Sequence, residues 1–233
     1  MGPVEIIERA GAEHPDLELR TPLTHDAVDA LEAELRVPLP ADLRMVLERT
    51  GGIDGSRLET IDFTGRSFDV ELGDIFPSGL PVANDGYGNH WVLDLTPDAA
   101  APSVFYASHD PPVVLLQSPD LGHFVAEVFR KIDSSRTSLV DDVHDDRIFH
   151  VWRTNPGAVD HEAALEGDDD ELRAFAAALG ERFSIIDMRT AEIGMGFSWG
   201  RYGPATEVRR DGYRLLFAYA PPERRPGLLR RLF

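Results

Sequence analysis

The chain has 233 residues, no cysteine and a formal charge of −18, from 23 basic and 41 acidic side chains. A chain of this length forms one or two domains and buries a core without covalent staples. The missing cysteine excludes disulfide scaffolds, thiolate metal sites and thiol nucleophiles. The negative field disfavours nucleic acid and anionic membranes and favours a basic protein partner.

The charge is uneven: residues 1–200 sum to −23 and residues 201–233 to +5. Lys131 stands alone against 22 arginines, and no Gly-Lys-Ser/Thr triplet occurs, so a P-loop is excluded. No apolar run reaches the ~18–20 residues of a membrane span. The first nine residues lack the basic start and apolar stretch of a secretory signal, so the expected location is cytoplasmic.

In chain order, Thr24 caps a predicted helix from His25 to about Arg36, with Val28, Leu31 and Leu35 on one face. Pro40 opens a second, through Leu43, Val46 and Leu47, which Gly51-Gly52 ends. The period then changes. Strands are expected at Arg57–Phe63, Ser67–Leu72, His90–Leu95, Ser103–Ala107 and Val113–Leu116. Ser118 and Pro119 start a strongly amphipathic helix, in which Leu121, Phe124, Val125, Val128, Phe129 and Ile132 share a face. Lys131 closes it at the negative end of the helix dipole.

Residues 134–167 read as an acidic connector with one short strand, Ile148–Trp152. A helix from Asp168 to Leu179 follows. Strands come next at Phe183–Met188, Met195–Trp199, Thr206–Arg210 and Tyr213–Tyr219, the last two joined by an Asp211-Gly212 hairpin signal. A short basic helix, about Pro226 to Leu232, closes the chain. Residues 168–233 thus form either an extension of the first sheet or a small second domain.

Four constellations could carry chemistry. Gly196-Phe197-Ser198-Trp199-Gly200 matches a nucleophile elbow, but Arg201-Tyr202-Gly203-Pro204 cannot start the helix an elbow requires. The last histidine, His161, precedes the serine. A Gly-rich strand and turn explains the motif better. His109-Asp110 is the residue pair of metal phosphohydrolases, yet it lies before Pro111-Pro112, where Asp110 suits a turn. Asp141, Asp142, Asp145 and Asp146, with His144 and His150, lack the spacing of a calcium loop or a zincin, and read as a solvated acidic face. Arg209, Arg210, Arg214, Arg224, Arg225, Arg230 and Arg231 form a basic region best explained by a charge match within the chain or its oligomer. No catalytic residue, metal ligand or cofactor is assigned.

Three blocks in order resemble the SUKH superfamily, which includes the Smi/Knr type of cell-wall assembly regulator domain and many bacterial immunity proteins. The first is Leu31-Glu32-Ala33-Glu34-Leu35-Arg36-Val37-Pro38-Leu39-Pro40-Ala41-Asp42-Leu43-Arg44, then Leu47 and Thr50-Gly51-Gly52. It departs from the family at Arg36, where glycine is usual, and at Leu43, where an aromatic is common. The second is Pro81-Val82-Ala83-Asn84-Asp85-Gly86-Tyr87-Gly88-Asn89-His90-Trp91-Val92-Leu93-Asp94, a strand, an Asp-Gly-x-Gly-Asn turn and a strand. The third is Val104-Phe105-Tyr106-Ala107-Ser108-His109-Asp110, with Phe124 in the helix that follows.

The resemblance covers residues 31–132 of a SUKH-like domain at 1–133. It implies an α+β fold, a mostly antiparallel sheet packed on helices, and a binding role with no recognised catalytic set. Bacterial members often neutralise toxins, many of them nucleases or deaminases, and an acidic chain suits a basic toxin domain. The expectation is a cytoplasmic, non-enzymatic immunity protein. Its candidate contacts are Asp85, Gly86, Tyr87, Gly88, Asn89, the aromatic Trp91, His109 and Asp110. A Smi/Knr-like scaffold and a hydrolase using Ser198 or a His/Asp metal site are the alternatives.

Overall fold

The computed structural model describes residues 2–55, 60–68, 72–97, 101–132 and 137–223. The chain runs α1 (Pro3–Glu13), β1 (Glu18–Leu19), α2 (His25–Leu35), α3 (Ala41–Arg49), β2 (Gly52–Asp54), β3 (Thr60–Asp62) and β4 (Gly79–Asn84). It continues with β5 (His90–Asp94), β6 (Val104–His109), β7 (Pro112–Ser118), α4 (Leu121–Ile132), α5 (Leu139–Asp141), a π-helix (Asp142–Arg147) and α6 (Ile148–Thr154). The last part holds β8 (Ala158–Val159), α7 (His161–Glu166), α8 (Asp170–Ala178), β9 (Ser184–Asp187), β10 (Gly196–Phe197), β11 (Glu207–Arg210) and β12 (Leu216–Ala220). The fold is α+β, with two antiparallel sheets.

Among the described residues, the first sheet has eight strands in the order β1-β2-β3-β4-β5-β6-β7-β10, and the second has four, β11-β12-β9-β8. Side chains alternate across each strand. Trp91, Leu93, Tyr106, Val113 and Leu115 point to one face of the first sheet, where they pack with Ile7, Val28, Leu43, Leu47, Phe124 and Val143 from the helices. Val92, Phe105, Ala107, Val114 and Leu116 point to the other, against Ile186, Phe217 and Tyr219 of the second sheet. The outer face of the second sheet offers Ile185, Leu216 and Ala218 to Phe175 and Ala176 of α8. The layers are therefore helices, sheet, sheet, helices.

Most predicted elements form, with shifted ends. Thr24 caps α2, its side chain accepting from the Ala27 N–H, and Arg36 takes the left-handed C-cap conformation at φ 57°. That is the position where the family usually has glycine, which adopts this conformation without steric cost. α4 starts two residues later than expected, because Asp120 and not Ser118 receives the His123 N–H, at 2.8 Å. The hairpin signal at Asp211-Gly212 yields a five-residue connection between Arg210 and Leu216, with the Asp211 N–H donating to Leu216 O. The strand expected at Ser67–Leu72 and the closing basic helix lie wholly or in part outside the described residues.

One element is overturned. Ile148–Trp152 is helical, not a strand. Val140, Val143, Ile148 and Val151 are all buried. Val143 and Ile148 are five residues apart, and the π-helix closes i→i+5 turns. That wider turn keeps both side chains on the core face, where an unbroken α-helix would rotate one outward. α1 was not anticipated, although Pro3 at its start and Ile6, Ile7 and Ala10 on one face carry the signal.

One ion pair fastens the two sheets. Arg210 of β11 meets Asp94 of β5 through two bonds of 2.8 and 2.7 Å, with the side chains only 2% and 4% exposed. Arg210 also donates to the carbonyls of Ile75, Tyr213 and Arg214, so all five of its N–H groups are used. Its guanidinium lies 5.1 Å from the centre of the Phe217 ring. Removing one partner of such a pair strands a buried charge. Arg210→Ala is expected to lower the unfolding free energy by about 3–5 kcal/mol. Arg44→Ala, which breaks only exposed contacts to Asp29 and Glu32, should cost under about 1 kcal/mol. Denaturant unfolding of both variants measures the difference.

Candidate functional site

The β4–β5 connection is braced by a network of buried side chains. Gly86 and Gly88 sit at φ 76° and 90°, which glycine alone adopts freely. A side chain at Gly88 would also press on the His109 ring, at 3.3 Å. The Asp85 carboxylate fills the turn from inside. Its Oδ1 accepts the N–H groups of Tyr87 (2.8 Å) and Asn89 (3.2 Å). Its Oδ2 accepts from Asn89 Nδ2 (2.6 Å), the Tyr106 hydroxyl (3.1 Å) and His144 Nε2 (3.2 Å).

Asn89 passes the network on. Its Oδ1 accepts the His109 N–H at 3.0 Å and His109 Nδ1–H at 2.8 Å. The loop is thereby tied to the end of β6. His144, from the π-helix, touches a second carboxylate through its other nitrogen, Nδ1 to Asp145 at 2.7 Å. A neutral imidazole donates to only one of the two. Its ring stands edge-on to Tyr106, with centroids 5.3 Å apart.

Burial alone would raise the Asp85 pKa. The bonds from Asn89, the Tyr87 and Asn89 N–H groups and His144 outweigh it and hold the carboxyl below its ordinary value. Burial and the nearby Asp85 charge push the Tyr106 phenol up, so it remains a donor. Burial pushes the His90 imidazole down, and its ring meets Phe68 edge-on.

Of the eight candidate contacts, the structure brings together Asp85, Gly86, Tyr87, Gly88, Asn89 and His109. Asp85 and Asn89 are buried, and serve to hold the turn. Gly86, Tyr87, Gly88, His109 and Asp110 are exposed, with Tyr87 82% exposed at the tip. Trp91 is a correction. It is 0% exposed, because it lies on the helix-facing side of β5, between Tyr106 and Phe124. Its indole N–H donates to Gln117 Oε1 at 3.0 Å. It cannot be a surface contact, but it supports the floor beneath Tyr106 and His144. Sequence reasoning left Tyr106 and His144 out of the site. His144 stood in the acidic cluster, 59 positions from Asp85, and no local signal links the two.

The other constellations resolve into packing. Ser198 is 0% exposed, with its N–H on Asn155 Oδ1 (2.9 Å) and its hydroxyl 3.4 Å from Pro112 O. A Cβ at Gly196 would lie 2.0 Å from Val114 O, and one at Gly200 would meet the Pro112 ring. The glycines of the motif therefore let β10 approach β7. In the acidic segment, Asp141 pairs with Lys131 (3.0 Å) and Asp142 with Arg147 (3.2 Å). Among the described residues, no group of three acidic or histidine side chains is arranged to hold a metal ion. Arg209, Arg210 and Arg214 pair with Glu207, Asp94 and Asp211, a charge match within the chain. Arg224, Arg225, Arg230 and Arg231 lie outside the described residues.

No helix among the described residues is long and apolar enough to cross a membrane. Asp85→Asn should cost on the order of 1–3 kcal/mol near neutral pH, since one oxygen cannot replace two. The pH dependence has a definite sign. A carboxyl whose folded pKa is depressed adds stability above its unfolded value of about 3.9, and that stability is lost as pH falls through the folded value. Melting temperature measured from pH 7 to pH 2 should fall less steeply below pH 4 in Asp85→Asn than in the unaltered protein.

Residues 22–127, from the start of α2 into α4, match the SMI1 / KNR4 family (SUKH-1). No curated protein matches the chain. The match takes in the Asp85 turn and leaves out α1, the π-helix and the whole second sheet. The chain thus carries a domain of the SUKH superfamily, of the SMI1 / KNR4 type, built into a larger two-sheet fold.

Proposed function

We propose that the chain is a non-enzymatic, cytoplasmic immunity protein that binds and neutralises a basic polypeptide toxin, such as a nuclease. The observation that carries this reading is the Tyr87 turn. Every polar side chain beneath it is spent on bracing, and what the turn offers outward is an aromatic ring with its hydroxyl. A rigid, exposed aromatic is the kind of group that anchors a protein interface at little cost in ordering. The net charge of −18 adds long-range attraction for a basic partner and repulsion for nucleic acid. Such a protein can cover the substrate site of a nuclease without any chemistry of its own. A Smi/Knr-like scaffold rests on the same family match and differs in its partner.

Affinity purification of the full chain from its native host, with and without the neighbouring genes, is expected to recover one basic protein. Co-expression should relieve that protein's toxicity, and raised ionic strength should slow their association. Recovery of no partner, or a partner whose toxicity is unchanged, would overturn the reading. So would an esterase or phosphodiesterase activity that disappears in Ser198→Ala.

A further inference from the structure

We propose that the partner surface is composite: the Tyr87 turn of the SUKH domain and the outer face of the π-helix and α6 form one docking face for an arginine-bearing protein. The proposal rests on the binding reading above and adds the second half of the face, which lies beyond the family match.

The two parts are joined by a contact and not only by proximity. His144 of the π-helix reaches Asp85 at 3.2 Å, beneath the turn that lifts Tyr87. From there the helix turns outward. Asp145 and Asp146 of the π-helix and Phe149 at the start of α6 are all exposed. Phe149 is 51% exposed, which makes it and Tyr87 the two most exposed large apolar side chains among the described residues. Phe149 has no packing reason to be aromatic, since Ile148 and Val151 supply the core contacts of α6.

The charge of this face is set by which carboxylates are already matched. Asp141 and Asp142 are neutralised by Lys131 and Arg147. Among the described residues, Asp145 pairs only with the His144 imidazole. Asp146, and Asp110 beyond the His109 end of the network, have no hydrogen bond or ion pair among the described residues. The exposed carboxylates of Asp110, Asp145 and Asp146 and the exposed rings of Tyr87 and Phe149 suit a guanidinium, which binds carboxylates in pairs and stacks on ring faces. An acidic or purely apolar partner would leave these charges unmatched or desolvated. The occupant is therefore a basic protein surface that presents arginine.

The test uses the full chain with p-benzoylphenylalanine at position 87 or 149, and at positions 45 and 213 as controls. Met45 and Tyr213 are also exposed but lie on α3 and in the β11–β12 connection. Irradiation in the native host is expected to join one and the same basic polypeptide to positions 87 and 149 and not to 45 or 213. The yield should fall about 10-fold or more in Asp145→Asn/Asp146→Asn. With the purified polypeptide, Tyr87→Ala and Phe149→Ala should each weaken binding by about 10-fold or more, the effect of an interface anchor. Both side chains are exposed, so the melting temperature should hold. Adducts with a second copy of the chain, with its own C-terminal segment or with an acidic protein would overturn the proposal. So would adducts confined to 45 or 213. A partner that is recovered but indifferent to all these variants would overturn the composite face and leave the binding reading standing.

Discussion

A sheet that is apolar on both faces has to be covered twice. β5 shows the constraint most plainly: Trp91 and Leu93 face the helices, while Val92 faces the second sheet. One cover comes from α2, α3 and α4 of the SUKH domain together with α1, the π-helix and α6. The second comes in part from Ile75 and Phe76, which lie within the family match, and otherwise from the residues that follow it, Ile186, Phe197 and Phe217 among them. At ~25 cal/mol per Å² of apolar surface, losing that cover would outweigh any single polar contact in the molecule. The Arg210–Asp94 pair works differently. Burial of apolar area brings the sheets together without direction, and the ion pair fixes which strand lies across which.

The first domain was largely readable because its signals are local. Caps, helical periodicity and an Asp-Gly-x-Gly-Asn turn each act within a few residues, and the three blocks kept their order. The failures are equally instructive. The segment around Ile148 was misread because a π-helix shifts the apolar stripe by one residue, a step that neither the period of a helix nor that of a strand contains. Trp91 was read as exposed because an alternating strand does not reveal which of its faces meets helices. The hairpin signal at Asp211-Gly212 gave way to Arg210, whose side chain gathers the carbonyls of Tyr213 and Arg214.

For the site, the turn itself was legible and its partners were not. Asp85 and Asn89 have the residue types and spacing of a self-bracing turn. Tyr106 and His144 enter from 21 and 59 positions away, and such contacts are decided by the fold. Buried and exposed members of the candidate set have opposite duties. Asp85 and Asn89 keep the turn in one shape, and in the proposed binding role Tyr87 uses that shape. Substitutions at the first pair should therefore act through stability, and, under the proposed binding role, those at the tip through recognition.

The chain's path between its layers has one more consequence. After α6 it enters the second sheet with β8 and β9, returns to the first with β10, and goes back to the second with β11 and β12. The two sheets are laced together, not strung in series. No single cut after β8 leaves both sheets with all their strands. The SUKH domain and the segment that follows it therefore share the first sheet, and the two must be expressed and engineered as one piece.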